Sequence, residues 1–107
     1  MNEFTTRPCK ELALDEYREL TAGKEVHISV HALDHLSSQQ RNLFKEDELM
    51  KPLRQEPPRK VYLQENGRYA TFFRNKDGYR KIIVEVDATR VTVVSFMDTA
   101  EIPKYTL

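Results

Sequence analysis

The chain has 107 residues, of which 39% are apolar and 32% charged, and its 17 Lys and Arg balance its 17 Asp and Glu. That length suits one domain (1–107) able to bury about two-thirds of its unfolded surface. The even charge balance excludes a uniformly basic nucleic-acid coat protein while leaving room for a local basic patch. It also gives little protection against self-association, so a homodimer or a protein partner covering one face is expected.

Cys9 is the only cysteine. No disulfide can form within the chain, and a reducing cytoplasm is the natural compartment. No apolar run approaches the roughly 20 residues needed to span a bilayer. Met1 to Lys10 hold no apolar signal core, so no membrane association is expected.

Residues 1–10, broken by Pro8, read as a loose arm. From Glu11 to Ala22 the spacing of Ala13, Tyr17 and Leu20 predicts a helix, with Gly23 at its C-cap. Val26-His27-Ile28 reads as a short extended segment. Ser29 is a good N-cap for a helix from Val30 to about Gln40 that would bury Ala32, Leu33 and Leu36. A further helix begins at Glu46, with acids that suit its dipole and with Leu49, Met50 and Leu53 at helical spacing. Pro52 predicts its end at Met50 or Lys51. Gln55-Glu56-Pro57-Pro58 is a stiff connector that closes a helical half, 11–51.

The second half, 60–97, reads as strands. Lys60–Glu65 and Arg68–Arg74 flank Asn66-Gly67, the strongest short hairpin signal. Asn75-Lys76-Asp77-Gly78 is a four-residue turn. Tyr79–Asp87 and Arg90–Met97 then flank Ala88-Thr89. Alternation puts Ile82, Val84 and Val86 on one face with Val91, Val93 and Ser95, to be covered by the helices. The other face carries Lys81, Ile83 and Glu85, with Glu85 opposite Thr92 and Lys81 opposite Phe96. The tail, 98–107, is irregular and packs through Ile102 and Tyr105. The fold class expected is α+β, with two or three N-terminal helices on a four-stranded antiparallel β-meander.

No strong catalytic motif is present. His27, His31 and His35 recur four apart, a spacing that binds zinc on an unbroken helix. The β-branched Val26, Ile28 and Val30 break that helix, however, and neither a following Glu nor a cysteine pair completes a zinc motif. No metal and no cofactor are therefore expected. Acid–base work on RNA is the sharper alternative, because imidazole accepts and donates protons near neutral pH. His31 and His35 would move the protons. Arg68, Arg74, Arg80 and Lys81 would meet phosphates, and Tyr69 and Tyr79 would stack on bases. The competing reading is a solvated sheet whose basic residues guard its edges. A non-catalytic interaction module, with Phe72, Phe73 or Phe96 in an exposed apolar patch, fits that second reading.

The order of elements, the helix opening Ser29-Val30-His31-Ala32 and the closing strand Val91-Thr92-Val93-Val94 resemble the RelE-like (barnase–EndoU–colicin–RelE fold) ribonuclease superfamily. They are most similar to a branch whose first helix carries H-A-x-x-R and whose last strand carries V-T-V. His31-Ala32 match the first two letters, His35 stands at the arginine position, and Thr92 matches the threonine. The resemblance spans about residues 26–97. It implies a toxin-like, metal-independent endoribonuclease or RNA-binding protein with an antitoxin-like partner. His31 would be catalytic, with Thr92 and a strand arginine assisting.

Overall fold

The computed structural model describes residues 7–30, 32 and 46–105. Among these are six strands and two helices: β1 (Pro8–Leu12), α1 (Leu14–Thr21), β2 (Glu25–Ile28), α2 (Glu46–Gln55), β3 (Lys60–Gln64), β4 (Tyr69–Asn75), β5 (Gly78–Val86) and β6 (Arg90–Thr99). They form one sheet in the order β1-β3-β4-β5-β6-β2. Every neighbouring pair is antiparallel except β2 with β6, which is parallel. The expected four-stranded antiparallel meander is therefore only the centre of a six-stranded mixed sheet. Among the described residues strand outweighs helix, and the first half of the chain contributes two strands to the sheet rather than only helices packed on it.

The first correction lies in the arm. Pro8–Leu12 is not loose, and Glu11 and Leu12 do not begin a helix; they pair with β3 at the sheet edge. Proline is tolerated there because an edge strand has one unpaired side. Only Leu12 of this strand is buried, so β1 has almost no alternation to read. Helix α1 starts after Ala13, whose carbonyl accepts the Tyr17 N–H at 3.0 Å. It ends where predicted, with Gly23 at φ +71°, a left-handed conformation that costs glycine least.

Glu25–Ile28 is extended as read, and it is the outermost strand, paired with Arg90–Val93. Val30 and Ala32 are helical, and the Ala32 N–H donates to Ser29 Oγ at 3.0 Å, the capping contact the sequence predicts. Helix α2 runs through Pro52 to Gln55 instead of stopping at Met50 or Lys51. The proline lies in its seventh position and removes one N–H from the ladder without ending the helix.

The two faces of the sheet have different covers. On the first, Val61, Phe73, Ile82, Val84, Val91 and Val93 pack with Leu12, Tyr17 and Ala32, and with Leu53 of α2. This is the face that the alternation of β5 assigned to the helices. On the second, Tyr62, Ala70, Phe72 and Ile83 form a smaller cluster against Ile102 and Tyr105 of the tail. The Tyr62 and Tyr105 rings meet edge-on at 4.9 Å, a preferred aromatic geometry.

A β-bulge at Val94 changes the outer half of β6. Val84 pairs with Val93 and Ile83 with Ser95, so Val94 is the extra residue. Beyond it the alternation reverses. Ser95 moves to the tail-covered face, and Phe96 joins the helix-covered core opposite Ile82. Lys81 faces Met97, not Phe96. The expected pairs before the bulge, Glu85 with Thr92 and Val86 with Val91, stand.

The hairpin turns are tighter or looser than read. Gln64 N–H donates to Arg68 C=O at 2.8 Å, so the loop around Asn66-Gly67 has three residues, with Gly67 at φ +85°. Asn75 pairs directly with Gly78, leaving a two-residue turn. At the last turn Asp87 Oδ1 accepts the N–H groups of Thr89 and Arg90 at 2.8 and 2.9 Å, which compensates for the missing glycine.

Candidate nucleic-acid interface

Register places the candidate residues without ambiguity of face. Successive residues on a strand point to opposite sides, so the tail-covered face receives Arg74, Tyr79, Lys81, Glu85, Thr92 and His27. Tyr69 and Arg80 go to the opposite face. Tyr69 packs in the helix-covered core, with its ring 6.4 Å from that of Tyr17. Arg80 is held by Asp98 at 2.8 Å with its side chain largely buried. Neither shares the tail-covered face with the other candidate residues. His31 and His35 lie outside the described residues.

Four polar groups share one end of this face. Arg68 Nε donates to Glu85 Oε2 at 3.3 Å. Glu85 stands opposite Thr92 on β6, and Thr92 stands opposite His27 on β2. His27 and Glu85 are thus two strand spacings apart, roughly 10 Å at the backbone, with Thr92 between them. His27 Nε2 meets Glu25 Oε2 at 3.1 Å on the outward side. The row is half-open: Thr92 is half-buried, whereas His27 and Glu85 are exposed.

The other basic residues lie farther along β5. Lys81 is buried over the Phe72 ring, with Nζ 5.8 Å from its centroid. Burial holds its ammonium below the usual lysine pKa. Arg74 sits over the Tyr79 ring at 5.3 Å and donates to Gly78 C=O at 3.3 Å. Tyr79 is about 20 Å from Glu85 along the strand. Arg68 is therefore the strand arginine that joins Thr92, and Arg74 and Tyr79 form a separate pair at the far end.

One expectation, the exposed apolar patch, is overturned. Phe72 and Phe73 are fully buried and Phe96 packs against the core, so they form no exposed patch. His27 lies on a strand that ends at Ile28, so it shares no helical stripe with the later histidines. Among the described residues no group of three His, Cys, Asp or Glu side chains gathers as a metal site, and no helix is long and apolar enough to cross a membrane.

His27 and Glu85 are the site residues that sequence reasoning did not assign. Glu85 was placed opposite Thr92 by alternation but given no role. His27 could be joined to Thr92 only by the parallel pairing of β2 with β6, and no local pattern encodes that contact. No family model matches the chain, and neither a curated protein nor a solved structure matches it.

Proposed function

We propose that the chain is a toxin-like, metal-independent ribonuclease of the RelE-like class, acting on RNA laid across the Thr92 end of the tail-covered face. One observation carries this reading: the row Arg68–Glu85–Thr92–His27 places a cation, a carboxylate, a hydroxyl and an imidazole on adjacent strands. Cleaving RNA without a metal needs those functions together. A base takes the proton of the 2′-hydroxyl, an acid protonates the departing oxygen, and donors neutralise the phosphate.

In this reading Glu85 accepts the 2′-hydroxyl proton. The 2′-oxygen forms a bond to the adjacent phosphorus while the bond from phosphorus to the 5′-oxygen breaks. Protonated His27 delivers its proton to that 5′-oxygen. The products are a 2′,3′-cyclic phosphate and a 5′-hydroxyl. Arg68 and the Thr92 hydroxyl hydrogen-bond the non-bridging oxygens as charge builds. Glu25 holds one nitrogen of the His27 ring and leaves the other for proton transfer. His31, three residues beyond β2, is the further histidine that the family resemblance brings to the proton transfers.

The element order supports the same class. A short strand, a capped helix start, α2 and four strands follow one another from Glu25 to Thr99. The test is product chemistry in chelator. RNA incubated with the purified protein yields 2′,3′-cyclic phosphate ends, and the same sequence with 2′-deoxyribose stays intact. Equal cleavage of both substrates, or cleavage that vanishes in chelator, refutes the mechanism.

A further inference from the structure

We infer that the cleft between α1, α2 and β2 is a binding site for a phosphorylated nucleotide. The cleft has a volume of about 580 Å³, within the range of small-ligand sites. A second recess of about 320 Å³ adjoins it and shares Lys24, Val26 and Arg54. His27 lines that second recess. The two together lead from the helix-covered side of the sheet round the β2 edge to the polar row.

The cleft wall has two characters. Tyr17, Val26, Leu53 and Val91 give it an apolar floor. Arg18, Lys24 and Arg54 bring three cations to its rim. Lys60, Arg68 and Arg80 on the sheet each have a carboxylate partner, whereas these three have neither an ion pair nor a side-chain hydrogen bond among the described residues.

Arg18 and Arg54 occupy the last turns of α1 and α2, where a cation favours the helix dipole. That accounts for each arginine alone. It does not account for two helix ends and Lys24 meeting over one apolar floor. Unaided, the terminal carbonyls of both helices would repel an anion. Three cations reverse that field, while Asp15 and Glu56 on the rim leave an excess of one positive charge. The chemistry that fits is a phosphate at the cations and a flat, weakly polar ring over Leu53 and Val26. Either a free nucleotide or a nucleotide flanking the cleaved bond of an RNA chain supplies both. The second source rests on the ribonuclease reading, because it requires the chain to continue past His27.

Binding is read with two probes: AMP, and a labelled 2′-O-methyl hexauridylate whose blocked 2′-oxygen prevents cleavage. Arg54→Gln is expected to weaken the hexamer about tenfold, the effect of one lost charge-assisted contact. It is also expected to lower the slope of log affinity against log salt by about 0.7, one phosphate contact on a single strand. The double variant Arg18→Gln/Lys24→Gln should weaken it further. Arg18 and Arg54 are exposed and Lys24 is half-buried, so a thermal melt of each variant checks that it keeps the fold. A loss confined to the hexamer identifies the RNA chain as ligand, and an equal loss for AMP identifies a free nucleotide. Failure of both probes to bind, or unchanged affinity in both variants, overturns the site. Cleavage of ordinary RNA is measured in parallel. Arg54-dependent binding without cleavage removes only the ribonuclease reading, and cleavage with Arg54-independent binding removes only the cleft.

Discussion

Gly78→Ala is a small change with a large expected effect. Gly78 opens β5 directly under the end of β6. A methyl group built there lies 2.5 Å from the Thr99 carbonyl oxygen and 3.2 Å from Ala100 Cα. Ordinary contact begins at 3.4 Å, so the backbone at Thr99–Ala100 must retreat by almost an ångström. Backbone cannot rotate aside as a flexible side chain can. Overpacking of this kind costs about 1–3 kcal/mol, which for a domain of this size lowers Tm by roughly 4–20 °C. The retreating segment leads straight into the tail that carries Ile102 and Tyr105 over Tyr62 and Phe72. The variant should therefore also bind a hydrophobic dye more strongly than the parent. Differential scanning calorimetry gives the first reading and dye fluorescence the second. A Gly78→Ala protein that melts within about 1 °C of the parent, where even 1 kcal/mol predicts several degrees, refutes the packing described for the β5–β6 end.

Three further outcomes follow from particular contacts. Phe73→Ala empties the centre of the helix-covered core, where Phe73 is fully buried; the expected loss is about 3–5 kcal/mol by denaturant titration. Tyr17→Phe tests a pH dependence. Burial, with a smaller contribution from Tyr69, raises the Tyr17 pKa far above its ordinary 10.0. A group whose folded pKa is raised stabilises fully below the unfolded pKa and loses that contribution as pH climbs above it. Stability should thus fall above pH 10, and Tyr17→Phe should flatten that fall in melts recorded at successive pH values. Asp87→Ala removes the acceptor of two backbone N–H groups that hold this carboxylate below its usual pKa. It should destabilise near neutral pH, and its deficit should shrink as pH falls below 3.8 and the parent carboxylate is protonated.

The legible part of the fold was the part governed by local chemistry. Asn66-Gly67, Ser29 and Gly23 have backbone preferences that act within a few residues, and each sits where its preference requires. Ile82, Val84 and Val86 declare a buried face by alternation alone. β1 was illegible because an edge strand buries little: Cys9, Lys10 and Glu11 are exposed, and only Leu12 reaches the core. The helix read from Glu11 begins only at Leu14. The bulge at Val94 was hidden because both Val93 and Val94 are buried, so no polar residue marks the slip.

The candidate site divides along the same line. Alternation across a tight turn put Glu85 opposite Thr92 correctly. Arg80 and Tyr69 fall on the other face because basic and aromatic character was read without the face that each position occupies. The contact of His27 with Thr92 spans 65 positions of sequence and depends on a parallel pairing. Such a pairing needs a long crossover and leaves no trace in either strand.

The ribonuclease reading is tested most directly by Glu85→Gln, measured as the initial rate of RNA cleavage in chelator beside a thermal melt of the same sample. Glu85 is exposed and Arg68 half-buried, so loss of their pair should cost about 1 kcal/mol of stability or less. Removing the base should slow cleavage by about 100-fold or more. A folded Glu85→Gln protein that cleaves RNA at the parent rate contradicts the assignment of this row as the catalytic site.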